Sequence, residues 1–287
     1  MSFSLEVKKE LSQMKNLANK EEVKYELMGY FISNNISFGN DEIRYSTENE
    51  YNIDRFSKIL RNVGVQDFDI GVQGNLFFVS FSLKESEIGK YFDEVSIINL
   101  IKGQENIDLV RAFSRGVFLG SGSINNPENT YHLEISMSNS RNMAEIVSLL
   151  SNFDINLKQI DGYLYIKDGE EISKFLAFIG ANKSVLKFEE IRVQKYMNNK
   201  INRLVNCKTA NLNKIINASV EQIDAIKKLK KLGKFEKLDD SLKEIADLRI
   251  QYPDISLVEL GQKLKNPIGK SGVNYRLKKI IQISKTY

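Results

Sequence analysis

Apolar residues recur along this chain in two rhythms, one of three and four residues and one of two. The first marks one face of a helix and the second one face of a strand. Phe3, Leu5, Val7, Leu11 and Met14 make residues 2–18 a short helix with a partly buried stripe. Glu21–Ser33 reads as a longer core helix. Ile36–Thr47 then alternates around Gly39-Asn40-Asp41, a hairpin signal. Asn52–Val63 is helical, with Phe56, Ile59, Leu60 and Val63 on one side. Phe68–Val72 and Leu76–Phe81 form a second hairpin turning at Gln73-Gly74-Asn75, and Glu85–Glu94 a short helix. The order then restarts. Asp108–Leu119 is a helix and Ser123–Met137 a hairpin turning near Asn126-Pro127-Glu128-Asn129. Asn142–Asn152 is a helix, and Ile155–Ile160 pairs with Tyr163–Lys167 across Asp161-Gly162. Glu170–Ile179 is a helix ended by Gly180.

The two halves share one layout, with matching positions at nearly the same offset. Gly29 in YELMGYFISNNISF corresponds to Gly116 in RAFSRGVFLGSGSIN, 87 residues later, and Tyr30-Phe31 to Val117-Phe118. Leu60 and Val65 correspond to Leu150 and Ile155, and Gly74-Asn75-Leu76 to Gly162-Tyr163-Leu164. Glycine inside a helix costs about 1 kcal/mol relative to alanine. Gly116 and Gly120 make a small-residue face that lets two helices approach closely. The pattern predicts two copies of one αββαββα unit packed through their glycine-bearing helices, a repeat too long for a solenoid.

RGVFLGSGSI resembles a degenerate LAGLIDADG motif, the paired core helix of homing endonucleases. In that family each motif ends in an acidic residue before a glycine, and the two acids hold the divalent metals that cleave DNA. The resemblance places these acid positions on Ser121 and Asn34, and neither is a carboxylate. The following glycine is kept as Gly122 and is Asn35 in the first copy. The resemblance implies a curved sheet that saddles duplex DNA, without cleavage.

Beyond Gly180, Lys183–Asn202 and Asn211–Leu232 read as helices, the second ended by Gly233. Asp240–Gln251 follows, with Leu242, Ile245, Ala246 and Ile250 apolar. Ser256 and Glu259 have capping-box spacing before a helix that runs to about Leu264. Asn266-Pro267-Ile268-Gly269 is a turn, and Lys270-Ser271 opens a last helix with Val273, Leu277 and Ile280 inward. Two short helices joined by a tight turn form a helix-turn-helix, whose second helix enters the major groove. Lys270, Ser271, Asn274, Tyr275, Arg276, Lys278 and Lys279 are the candidate DNA contacts. Asn274 is the first candidate for base reading, since Asn pairs bidentately with adenine. Ser271 is a candidate cap or phosphate donor, and close approach to a DNA backbone is the reason offered for Gly272.

Charge separates the same two regions. Residues 206–287 carry 17 Lys and Arg against 9 Asp and Glu, whereas residues 1–205 carry 24 against 28. Basic charge concentrated in one segment is the footprint of a polyanion binder. The 287 residues suffice for two domains with cores. No stretch reaches the 18 apolar residues of a membrane span, and the N-terminus lacks the apolar core of a signal peptide. One cysteine, Cys207, excludes an internal disulfide and fits a reducing cytosol. One histidine, His132, and one cysteine leave no zinc site. His132 reads as a packed or surface residue rather than a ligand, Glu134 and Asp161 read as structural carboxylates with no visible partner, and no P-loop, nucleophile elbow or metal cluster is present.

NRLVNC, TANLNK and GKSGVNYRL, at 202–207, 209–214 and 269–277, closely resemble the WhiA family of sporulation transcription regulators, which joins a degenerate LAGLIDADG domain to a C-terminal helix-turn-helix. The resemblance runs over essentially the whole chain. It implies an α+β two-repeat LAGLIDADG-like domain followed by an all-α helix-turn-helix domain. The boundaries expected are an N-terminal helix at 1–20, the LAGLIDADG-like domain at 21–198 (repeats about 21–100 and 108–198), a linker and long helix at 199–235, and the helix-turn-helix at 236–287. The function expected is sequence-specific DNA binding in transcriptional regulation linked to sporulation or cell division, in the cytoplasm at the nucleoid, with no cofactor or metal. Double-stranded DNA is the expected partner, a second regulatory protein is allowed, no membrane is expected, and a monomer suffices because the repeats pair within one chain. A nucleoid scaffold and an active endonuclease are the alternatives, the latter opposed by the missing carboxylates.

Overall fold

A computed structural model describes residues 2–33, 35–39, 42–82, 94–137 and 139–287. The chain divides into two compact units, Met1–Tyr196 and Met197–Tyr287.

In the first unit a short helix, α1 (Phe3–Ser12), precedes two copies of one arrangement. The first copy runs α2 (Lys20–Phe31), β1 (Ile36–Phe38), β2 (Glu42–Thr47), α3 (Glu50–Asn62), β3 (Asp69–Gln73), β4 (Leu76–Ser82) and α4 (Glu94–Ile101). The second runs α5 (Ile107–Ser121), β5 (Gly122–Ile124), β6 (Leu133–Ser136), α6 (Ser140–Ser151), β7 (Lys158–Ile160), β8 (Tyr163–Ile166) and α7 (Gly169–Ile179). Each copy builds a four-stranded antiparallel sheet, ordered β1-β2-β4-β3 and β5-β6-β8-β7. The expected αββαββα order is therefore present twice. Residues 85–93 of the short helix expected at Glu85–Glu94 and the turn residues Asn40 and Asp41 lie outside the described residues, and the described helix α4 starts at Glu94 and continues to Ile101, past the expected end.

Equivalent positions do equivalent work. Asn49 and Asn139 cap α3 and α6, each accepting a backbone N–H from two residues on. The exits of those helices also match: Val65 N–H donates to Leu60 O at 3.0 Å, and Ile155 N–H to Leu150 O at 3.1 Å. Both loops pass through positive φ, at Gly64 (96°) and Asp154 (59°). The capping asparagines and the shared left-handed residue strengthen the repeat beyond the positions legible in sequence.

The centre of the unit is the packing of α2 on α5. Gly29 and Gly116 face each other, and a Cβ built on Gly116 would stand 3.1 Å from Gly29 Cα and 2.9 Å from the carbonyl carbon of Glu26. Beside this crossing Glu26 is buried between two guanidinium groups. Arg55 Nη2 and Arg115 Nε donate to its Oε2 at 2.7 and 2.9 Å. Sheet residues such as Ile43, Val79, Leu133 and Leu164 complete one continuous apolar core with Phe56, Phe113 and Phe175.

The two helices expected at Lys183–Asn202 and Asn211–Leu232 are one. Helix α8 runs without interruption from Asn182 to Lys231. No glycine or proline occurs between Gly180 and Gly233, so nothing in the backbone stops it. Its first turn is held by Glu10 of α1, whose carboxylate accepts from Lys183 N (2.7 Å), Ser184 N (2.8 Å) and Ser184 Oγ (2.6 Å). Anionic oxygens at a helix N-terminus satisfy its free N–H groups and favour its dipole.

The second unit has its own core. Ile226 and Leu229 at the end of α8 meet Phe235 of a short 3-10 segment (Phe235–Lys237) and Leu238, the residue that follows it. Leu242, Ile245 and Ala246 of α9 (Asp240–Gln251), Leu260 of α10 (Leu257–Gln262) and Val273, Leu277 and Ile280 of α11 (Lys270–Lys285) close it.

Candidate nucleic-acid interface

Three helices define the site. Ser256 accepts from Glu259 N–H while the Glu259 carboxylate accepts from Ser256 N–H at 2.8 Å, so the capping box starts α10 as its spacing predicts. The turn between α10 and α11 is tight because it packs on small residues. A Cβ on Gly261 would reach 3.0 Å from Val273 Cγ2 and collide with the Ile268 carbonyl. Behind the pair, Arg249 of α9 is buried. Its Nη1 donates to the carbonyls of Tyr252 (3.3 Å), Pro253 (3.3 Å) and Ile255 (3.0 Å), which fixes the loop that leads into α10. The sequence reading did not select Arg249, because an arginine amid apolar helix positions has no periodic signature of its own.

Helix α11 begins at Lys270 with Gly269 as its N-cap and no side-chain cap bond. Ser271 therefore lies inside the first turn and does not cap it, which corrects that expectation. Its hydroxyl is exposed, beside the uncapped N–H groups that favour phosphate at a helix N-terminus. At about 100° per residue, Ser271, Asn274, Tyr275 and Lys278 share one arc of about 100°. Ser271, Tyr275 and Lys278 are exposed, Tyr275 by 68%, and Asn274 is half-buried. Lys270, at the helix start, is exposed beside them.

Two candidates leave this face. Arg276 falls about 160° from Lys278 around the helix, on the side of Val273 and Ile280, and is half-buried. Lys279 is half-buried, with its ammonium 3.7 Å from Asp239. Gly272 also has a reason within the fold itself. A Cβ there would sit 3.1 Å from Ile268 Cδ1, so the turn residue itself presses on that position.

The degenerate LAGLIDADG positions hold no acid. Ser121 Oγ donates to Ser136 O at 2.8 Å, tying the end of α5 to β6, and Asn35 Nδ2 donates to Gly120 O at 2.6 Å. Asn34 lies outside the described residues. Glu134 is not partnerless: its carboxylate lies 3.1 Å from His132 Nε2 and accepts from Ser123 Oγ at 3.4 Å. Among the described residues no three His, Cys, Asp or Glu gather as a metal site, and no helix is long and apolar enough to cross a membrane.

Comparison with known proteins agrees with both halves of this geometry. Residues 110–198 match the WhiA LAGLIDADG-like domain and residues 201–284 the WhiA C-terminal HTH domain. A Clostridium tetani protein named probable cell division protein WhiA is 36% identical over 309 residues, covering 99% of this chain and 97% of its own. A Clostridium botulinum protein of the same name is 37% identical over 310 residues, with 99% and 98% covered. The crystal structure of full-length WhiA from Thermotoga maritima is similar with a TM-score of 0.62 and 27% identity, over 100% of this chain and 99% of that one. With this agreement along its whole length, in sequence and in fold, the chain belongs to the WhiA family.

Proposed function

We propose that this chain is a sequence-specific, DNA-binding transcriptional regulator of the WhiA type, tied to sporulation or cell division and without nuclease activity. The observation that carries the reading is the exposed face at the start of α11, where Lys270, Ser271, Tyr275 and Lys278 stand together on a capped, well-cored helix-turn-helix. Lys270 and Lys278 suit phosphates, Ser271 a phosphate at the helix start, and Asn274 and Tyr275 base edges. Lys279 takes a backbone-flanking place from the side of the same helix, whereas Arg276, on the side of Val273 and Ile280, is assigned no DNA contact. The excess of basic residues in 206–287 supplies the long-range attraction. The LAGLIDADG-like domain acts as a platform for a second DNA contact or a regulatory protein, in the cytoplasm at the nucleoid.

The name carried by the relatives favours a second reading, a scaffold at the nucleoid that serves division by broad DNA binding. Genome-wide occupancy separates the two: discrete sites with expression changes support the regulator, and diffuse occupancy without them supports the scaffold.

The direct test is binding of the full-length chain to duplex DNA across a salt series. Each phosphate contact contributes about −0.9 to the slope of log K against log salt. Neutralising Lys270 and Lys278 to Gln is expected to remove close to two such contacts, and Asn274→Ala to relax sequence preference. A doubly neutralised chain that binds with unchanged affinity and slope overturns the assignment of α11.

A further inference from the structure

Between Ile191 and Val220 the chain carries six Lys or Arg and no Asp or Glu. The whole stretch is inside α8, and every residue from Tyr196 to Lys214 is exposed. Its side chains are sorted. At about 100° per residue, Asn199, Asn202, Arg203, Asn206, Asn213 and Lys214 fall within one arc about 120° wide. Met197, Ile201, Leu204 and Leu212 take the opposite side.

A face that needs only to be wetted is usually built from good helix formers in Glu–Lys pairs four residues apart. This one has no carboxylate with which to make a pair. It is built instead on asparagine, a poor residue for a helix interior because its amide competes for backbone groups. Each amide offers a donor and an acceptor, and two cations are interleaved with them. The surface that answers this combination has anions beside an edge of mixed donors and acceptors. Duplex DNA is such a surface, and its major groove, about 12 Å wide, admits a helix about 10–12 Å across. A second copy of the same face would set cation against cation, and an acidic protein would leave the amides without a reason.

We propose that this arc of α8 is a second duplex-DNA contact, separate from the face of α11. Arg203 and Lys214 engage phosphates, while Asn202, Asn206 and Asn213 face base edges. From Asn199 to Lys214 the helix rises about 22 Å at 1.5 Å per residue, which at 3.4 Å per base pair spans about six or seven pairs. The proposal rests on the reading of this chain as a DNA-binding protein.

The test uses the full-length chain and a 40-base-pair duplex that the wild type selects from a random pool. Arg203→Gln and Lys208→Gln remove the same charge from opposite sides of the same exposed stretch. Arg203→Gln is expected to weaken binding about ten-fold and to reduce the salt slope by about 0.9, and Lys208→Gln less than two-fold. The triple change Asn202→Ala, Asn206→Ala and Asn213→Ala, which favours the helix, is expected to lower affinity at least ten-fold with helicity retained. Equal effects of Arg203→Gln and Lys208→Gln, or wild-type binding by the triple variant while Lys278→Gln still weakens it, overturn the arc and leave the helix-turn-helix reading intact. Loss of binding that follows altered self-association in sedimentation overturns it in favour of a protein contact. A wild-type chain that selects no duplex overturns both readings together.

Discussion

Gly29 of α2 and Gly116 of α5 touch through their backbones: a Cβ on Gly116 would be 3.1 Å from Gly29 Cα, and one on Gly29 would be 2.5 Å from Val117 N. Neither neighbour is a side chain that can turn away. Gly116→Ala must therefore push the helices apart, at a cost near the upper end of over-packing, about 3 kcal/mol. Gly64 is the contrasting case. It has positive φ and open space around the missing Cβ, so Gly64→Ala carries only the left-handed backbone penalty of about 1–2 kcal/mol. Urea unfolding of the two variants, followed by near-ultraviolet dichroism, is expected to show Gly116→Ala as the larger loss. The reverse order would mean that the helix pair yields more easily than its backbone contacts imply.

Glu26 gives the first unit a dependence on acid. Burial by itself raises its pKa, but the hydrogen bonds and charges of Arg55 and Arg115 together outweigh burial and hold it below its ordinary value of 4.5. A carboxyl whose folded pKa is depressed contributes stability that is complete above its unfolded pKa and is lost as pH falls through the folded one. The wild type is thus expected to lose stability steeply below about pH 4.5, and Glu26→Gln to show a shallower loss there. At neutral pH Glu26→Ala leaves two guanidinium groups without their shared anion and is expected to cost about 3–5 kcal/mol. Equal acid slopes in wild type and Glu26→Gln would remove Glu26 from the account.

The repeat was legible because apolar spacing and glycine punctuation act locally, and both copies kept them at Gly29 and Gly116, at Leu60–Val65 and Leu150–Ile155, and at Gly74 and Gly162. The ion cluster was not, because Glu26, Arg55 and Arg115 come from three helices and each sits in a stretch read as an apolar face. Nor was the continuity of α8, whose Asn-rich middle weakens the apolar rhythm without containing a residue that ends a helix. At the candidate interface both the elements and the inward side of α11 were readable, since Val273, Leu277 and Ile280 are expected inward and lie in the core. The same spacing sets Arg276 on that side, about 160° from Lys278, although its charge alone groups it with the DNA-facing residues. The reason for Gly272 needed the fold of the turn, since Ile268 reaches it from outside the helix.

Arg249 is expected to hold the helix-turn-helix in register. Its guanidinium is buried and gathers three carbonyls of the Tyr252–Ile255 loop. Arg249→Ala leaves those acceptors without their donor and opens space in the core, at a cost of about 2–3 kcal/mol. Hydrogen exchange is expected to speed up in α10 and α11 and to stay unchanged in α2 and α5, with DNA affinity falling in parallel. Wild-type protection of α10 in the variant would show that the Ser256–Glu259 capping box suffices without the arginine.

Ser121 tests whether the LAGLIDADG-like centre has turned from cutting to structure. Metal-assisted phosphodiester cleavage needs carboxylates to bind its cations, and Ser121 instead donates its hydroxyl to Ser136 O at 2.8 Å. Ser121→Asp would set an anion against that carbonyl and remove the donor, costing about 1–2 kcal/mol. The acid alone does not rebuild a metal site, because Glu134, the carboxylate next to Ser123 on β6, is engaged with His132 and Ser123. Neither wild type nor Ser121→Asp is expected to nick supercoiled DNA in Mg²⁺, and the variant is expected to melt earlier. Nicking by the wild type that EDTA abolishes would return the chain to the endonucleases. Nicking by the variant alone would mean that the centre has kept everything for cleavage except one carboxylate, so that the hydroxyl-to-carbonyl bond replaced the chemistry without dismantling the site around it.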